Sequence, residues 1–237
     1  MAGESTNKSY PAVNTKTQLR QKNEESGVFA REVGRWGFRR GLYASLMQRL
    51  QGSLGLFVAH VYRAELKKYS GQVPSELKVI LATPQDLAPY TQLSEYQLKD
   101  SFVQGASARG DACVATYYHG KLAAYGWVAY DRAPHVDGMW VRFGQGHRYN
   151  YKSLTLPEFR GRHLRGSYGV LAQRDRDEGV THTIAFIETH NYASISAEKR
   201  HGGHKIGFAG YLRIAGRLFV FSSAGAKRFG FSFEAPD

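Results

Sequence analysis

The stretch LTLPEFRGRHLRGSYGVLAQRDRDEG, residues 154–179, joins a short apolar run to a helical pattern through a loop of arginine and glycine. Its reading decides the fold. A strand ending in TLPEF and a helix running through SYGVLAQRDRDEG to a stop at Gly179 leave RGRHLRG as the connection. The first N–H groups of such a helix lack intrahelical partners, and the helix dipole makes that end electropositive. A phosphate or pyrophosphate is the natural ligand there. Arg160, Arg162 and Arg165 add bidentate contacts to phosphate oxygens, while Gly161 and Gly166 allow close backbone approach. The plainer alternative is an ordinary basic loop with solvated charges.

Upstream of that loop, HRYNYKSLTL and GMWVRFG read as strands, and ACVATYYHGKLAAYGWVAYD as a hairpin turning at HGK. LKVILATPQDL reads as a strand, followed by a helix that begins near Asp86 and runs through APYTQLSEYQLKDSFVQG. LFVAHVYRAEL fits a strand or a continued helix, and SGQVPSEL a loop. Downstream, THTIAFIE is a short buried strand, Asn191 to Arg200 a helix, and KIGFAGYLRIAGRLFVFSS a closing hairpin. No internal repeat or long linker interrupts the order. Helices, a β-meander and then β–loop–helix–β–helix–β make an α/β or α+β domain on a mixed sheet.

Residues 1–27 are polar and are expected to form a disordered arm. Between Arg31 and Gly52 and just beyond, Leu42, Leu46, Leu50 and Leu54 recur every four residues, with Tyr43 and Met47 beside them, as in a helix. Arg35, Arg39, Arg40 and Arg49 give it a cationic face. Residues 28–75 are therefore read as a basic helical extension to a main domain over residues 76–237. The extension either caps that domain or touches a membrane surface or anionic partner.

The chain has 237 residues, is 42% hydrophobic and carries a formal charge of +12, which calls for a polyanionic partner or an anionic surface. Residues 1–70 hold twelve Lys/Arg against five Asp/Glu, so much of the surplus lies there and in the arginine loop. No run reaches the roughly 18 apolar residues of a membrane span. The first residues lack the apolar segment of a secretory signal. The single cysteine, Cys113, cannot form an intramolecular disulfide or a multi-cysteine metal site, and no metal is expected. A reducing, cytoplasmic setting fits these features.

LTLPEFRGRHLRGSYGVL resembles the acyl-CoA-binding motif of the GCN5-related N-acetyltransferase (GNAT) superfamily, a strand leading into an Arg/Gln-x-x-Gly-x-Gly/Ala loop and a helix. Arg160 takes the leading position. His163 and Arg165 stand where the two small residues are usual, and Pro157 and the RGR of 160–162 match a frequent form. THTIAFIETHNYASISAEKRHGGHKIG resembles the next segment: a strand, a turn, Asn-x-x-Ser/Ala opening a helix, then Gly-Phe. Asn191, Ser194 and Gly202 fit; Gly203 replaces the phenylalanine, and Glu198 stands where many members carry a tyrosine acting as general acid. The two matches, with the β-meander before them, cover roughly residues 78–222. They imply a mixed, mostly antiparallel sheet flanked by helices, and transfer of an acetyl or other acyl group from coenzyme A to an amine, with no metal.

In that fold the motif strand splays from its neighbour, THTIAFIE. The resemblance implies that the pantetheine arm of acetyl-CoA lies in the cleft against amides of Leu154, Thr155 and Leu156. Backbone groups of Arg160, Gly161, Arg162, His163, Leu164, Arg165 and Gly166 would hold the pyrophosphate, and Asn191 would touch the cofactor arm. Direct attack by an amine needs no covalent enzyme intermediate, so Cys113 reads as a core thiol. Glu188 ends its strand where the cleft opens and can serve as base; His190, two residues on, has a suitable unperturbed pKa. Tyr149 and Tyr151 line either the acceptor pocket or the core, as does Trp127. The acceptor is an amine, with an acidic or phosphate-bearing one favoured by the basic surface. Two alternatives remain: a non-catalytic acyl-CoA sensor of the same fold, and a basic nucleic-acid-binding protein, disfavoured because no long cationic stripe or known recognition motif is visible.

Overall fold

The computed structural model describes residues 30, 33–66, 73–160 and 164–235. The expected arm over residues 1–27 lies outside the described residues. The chain divides into two compact units, residues 1–50 and 51–237. Helix α1 (Phe38–Leu54) crosses that boundary, and Gly41, Ala44 and Met47 are its buried positions. Leu42, Leu46 and Leu54 are 52%, 51% and 48% exposed, so the four-residue leucine stripe is not a core stripe.

The second unit is built on an eight-stranded sheet. In chain order its strands are β1 (Phe57–Glu65), β2 (Leu77–Ala82), β3 (Ala112–Tyr118), β4 (Lys121–Ala129), β7 (His147–Thr155), β8 (His182–Glu188), β9 (His204–Ile214) and β10 (Arg217–Ser222). Across the sheet they run β10-β9-β1-β8-β7-β4-β3-β2. Every neighbouring pair is antiparallel except β7 and β8. The short strands β5 (Arg132–Pro134), β6 (Trp140–Arg142) and β11 (Ser232–Glu234) form a separate three-stranded sheet. This is the mixed, mostly antiparallel architecture read from the sequence.

Two tight turns explain why the expected hairpins form. His119 and Gly120 join β3 to β4, and Ala215 and Gly216 join β9 to β10, with positive φ at both residues of each pair. Such two-residue turns match the right-handed twist of the strands they connect. Helix formation after β2 is more broken than the pattern predicts. A capping box at Thr83 and Asp86 opens α2 (Pro84–Leu87), but short 3₁₀ turns follow, and the chain takes a left-handed residue at Gln97 before α3 (Asp100–Ala108). Pro89 has no amide hydrogen to continue the helical ladder.

The ambiguous LFVAHVYRAEL is strand β1, and it lies inside the sheet between β8 and β9. The reading of residues 28–75 as an extension outside the main domain is therefore corrected: the compact unit begins at Gln51. Alternation along β1 shows why. Phe57, Ala59 and Val61 are buried with Ile184, Ala209 and Tyr211 in one cluster on one face. A second cluster holds Cys113, Ala115, Tyr125 and Trp127 against Val103 and Ala106 of α3, and Tyr151 packs against both clusters. On the other face Ala112, Val114 and Val128 meet Leu171.

Candidate functional site

Strands β7 and β8 pair only at His147–His182, Arg148–Thr183 and Tyr149–Ile184. Beyond that point β7 stays on β4 as far as Thr155, and β8 stays on β1 as far as Glu188. Two parallel strands thus part company in the middle of a sheet, leaving backbone edges without a strand partner. Such edges attract any extended ligand that carries amides.

The β7 wall is shaped by a bulge. Trp127 of β4 faces Lys152 and Val128 faces Asn150, so Tyr151 is the extra residue. Bulges re-aim side chains and often border functional sites. Past the bulge, the Leu156 amide donates to the Ala123 carbonyl at 3.0 Å. Antiparallel alternation then directs Leu154 to β4 as well and turns the amide groups of Ser153 and Thr155 toward the opening. The expectation that Leu154, Thr155 and Leu156 all present free amides is corrected on this point: the Leu156 amide is occupied, and its side chain is 4% exposed in the core.

The loop after β7 starts from a fixed point. Phe159 is buried beside Leu156 and Tyr118. Arg160 is exposed, and its Nε donates to the Thr155 carbonyl at 3.4 Å, so its charge lies at the open end of the cleft. Gly161, Arg162 and His163 lie outside the described residues. Leu164, Arg165 and Gly166 fall in a 3₁₀ segment, Leu164–Leu171, that passes into α4 (Ala172–Asp177) and stops at Gly179, whose φ is 63°. The expected α-helix over Ser167–Gly179 is thus 3₁₀ as far as Leu171 and α-helical only from Ala172 to Asp177. Tyr168 of the segment lies over β4, where a Cβ added at Gly126 would come within 2.0 Å of its hydroxyl. Only glycine leaves room for that ring.

At the other wall, Glu188 shares a face with Ile184 and Phe186, the face that also carries Tyr149 and Tyr151. Its Oε2 is 3.1 Å from His190 Nε2. The Glu188 side chain is 34% exposed and that of His190 11%, so the carboxylate is the member of the pair that an incoming molecule can reach. His190 Nδ1 is buried without a hydrogen-bond partner. Asn191 caps α5 (Tyr192–Arg200), accepting from the Ser194 amide at 3.2 Å. Glu198 faces Gly203, where a Cβ would meet its Oε1 at 2.4 Å.

Three side chains expected near the acceptor separate. Trp127, 2% exposed, packs edge-on to Phe102 at 5.5 Å, and its indole nitrogen has no partner. Tyr149 is 5% exposed, stacked between Tyr151 and Phe186, and burial drives its phenol pKa far up. Both are core residues, so of the two places open to them, pocket or core, they take the core and do not line the acceptor site. Tyr151 is only partly buried and donates to Asp111 Oδ2 at 2.8 Å; Arg109 Nη2 reaches the same oxygen at 2.8 Å. Cys113 is a core thiol as expected, pushed up to about 12 by burial.

Two residues of the splay escaped the sequence reading. Asn150 stands at the point of divergence, with its Oδ1 buried and unbonded. Lys152 is half-buried just past the bulge, its ammonium 5.0 Å above the Phe102 ring. The only signal was two polar residues in the aromatic run HRYNYKS. Among the described residues no His/Cys/Asp/Glu group could hold a metal. Nor, among the described residues, is any helix long and apolar enough to cross a membrane. A cavity of about 530 Å³ opens elsewhere, between Arg142, Lys227, Gly230 and Glu234; its charges are mixed, and Arg142 and Glu234 pair at 3.3 Å, so it offers no converging chemistry.

No protein-family model and no curated protein sequence matches the chain. Solved structures with a similar layout include a functionally unknown conserved protein from Staphylococcus epidermidis (16% identity, TM-score 0.46) and a tandem GNAT protein from the clavulanic acid biosynthesis pathway (14%, 0.45). A GCN5-related N-acetyltransferase from Kribbella flavida is similar at 15% identity and a TM-score of 0.44. The matches cover 69%, 74% and 75% of this chain but 64%, 57% and 65% of those chains, less than two thirds of each. At TM-scores below 0.5 these likenesses add no weight to the geometry.

Proposed function

We propose that the chain is an acyl-CoA-dependent N-acyltransferase that moves an acetyl group, or another short acyl group, from coenzyme A directly to an amine. The observation that carries this reading is the splay of β7 from β8, with a bulge at its root and an arginine at its mouth. The fit of the donor rests on an orphan: Asn150 Oδ1 is buried, unbonded and at the root of the opening. A buried acceptor left unsatisfied costs about 1–3 kcal/mol, and an amide N–H of a pantetheine arm is the partner it lacks. The edge groups of Ser153 and Thr155 would pair with the same arm, and Arg160 with its phosphates.

When bound, acetyl-CoA supplies the activated acyl carbon. Backbone N–H groups at the bulge polarise its carbonyl. Glu188 takes the proton from the acceptor amine, and His190, behind it, holds the carboxylate in place. Both amine and thioester then lie between the two walls, and positioning supplies much of the rate.

Calorimetric titration with acetyl-CoA, against ADP as a control for simple polyanion attraction, tests the proposal. One-site binding tighter than ADP, weakened by Arg160→Glu and by Asn150→Leu, is the expected result. Equal affinity for ADP and acetyl-CoA, or binding indifferent to Asn150, overturns it.

A further inference from the structure

Lys152 is the least explained charged group near the splay. It is half-buried on β7, directly past the bulge, and lies on the face that carries Phe102 and Tyr151. Glu188, the proposed base, stands on the same face at the opposite wall. Among the described residues no carboxylate comes within ion-pair distance of Lys152; its only contact of note is the Phe102 ring at 5.0 Å. Burial and the neighbouring charge of Lys99 both hold its pKa below the usual value. Desolvation beside another cation is what makes a lysine amine nucleophilic.

We propose that Lys152 is itself an acyl acceptor, a site of self-acetylation at which the chain's own ε-amine takes the acetyl group of a bound acetyl-CoA. This rests on the acyl-CoA reading above and extends it to the acceptor side. In the step, the neutral Nζ forms a bond to the acyl carbon and the carbon–sulfur bond breaks. The coenzyme leaves as its thiolate, and the proton shed by nitrogen passes through Glu188 or water to that sulfur. The products are Nε-acetyl-lysine and free coenzyme A thiol, with no oxidant or second substrate. The amide formed is not activated, so the group is not passed on. Acetylation removes the Lys152 charge beside the bulge and adds bulk on the acceptor face. The modified chain therefore turns over added amines more slowly.

The full-length protein is incubated with acetyl-CoA and no added amine, while binding is followed by calorimetry and modification by peptide mass spectrometry. Expected is one acetyl group on Lys152, gained at a rate that saturates with acetyl-CoA and exceeds that of other lysines by on the order of tenfold or more, as positioning provides. Lys152→Arg keeps the charge over Phe102, retains binding and loses the modification. A truncated acetyl thioester lacking the nucleotide labels Lys152 no faster than other lysines. Binding without preferential acetylation of Lys152 overturns this inference and leaves the acyl-CoA reading standing. Absence of acetyl-CoA binding beyond the ADP control removes both.

Discussion

The guanidinium of Arg148 meets Asp175 Oδ2 at 2.5 Å inside the protein, with the two side chains 1% and 8% exposed. Tyr130 donates to the other carboxylate oxygen at 3.1 Å. Arg148 belongs to the closed end of the splay and Asp175 to α4, the helix after the arginine loop. One ion pair thus fixes that helix to the root of the cleft. Burial pushes the Asp175 carboxyl up, and the Arg148 charge opposes this. Asp175→Ala strands a buried cation and is expected to cost about 3–5 kcal/mol in urea unfolding. The double variant Arg148→Met/Asp175→Leu recovers most of that loss but binds acetyl-CoA more weakly, because the helix no longer has a fixed seat.

Gly126→Ala forces its new methyl against the Tyr168 hydroxyl. The expected cost is about 1–3 kcal/mol, the usual range for overpacking. Removing the obstructing oxygen with Tyr168→Phe relieves part of it. Thermal unfolding of the two single variants and the double variant checks this; additive losses would show that the two side chains do not meet.

Glu188→Gln is expected to lower acceptor-dependent release of coenzyme A thiol by about 10²–10⁴-fold, the range for loss of a general base. Acetyl-CoA affinity stays unchanged, since the carboxylate faces the acceptor. His190→Gln has a smaller effect on kcat and shifts the pH profile, as befits a positioning residue.

Acid weakens the fold through histidine. Burial, with the charges of Lys205 and Lys199, holds His60 below 6.5; burial, with Arg63 and His147, does the same for His182. A ring with a depressed pKa is protonated first in the unfolded chain. Its contribution is complete above pH 6.5 and is lost as pH falls through the folded value. Urea unfolding at a series of pH values should show this decline, and His60→Gln/His182→Gln should flatten it.

Much of this could be read along the chain because the signals are local. HG and AG turns announce their hairpins, and TLPEF followed by arginine and glycine announces a strand and its exit. Glu188 was legible as the last residue of a short apolar strand. The place of β1 was not, since pairing with β8 and β9 depends on residues far away in sequence. Asn150 and Lys152 carry no local mark either: one is defined by an oxygen without a partner, the other by a missing carboxylate. Leu42 and Leu46 show the converse, a helical period without burial.

The position of β1 also dictates an order of assembly. This strand is synthesised well before either of its neighbours. Until then Phe57, Val61 and Tyr62 have no sheet to join, and a hydrophobic strand with two bare edges must be kept from wrong partners. Pairing over such separations is intrinsically slow. The strand that completes the sheet is therefore the chain's main hazard during biogenesis, and a ribosome-bound fragment ending before β8 should depend on chaperones in a way the finished protein does not.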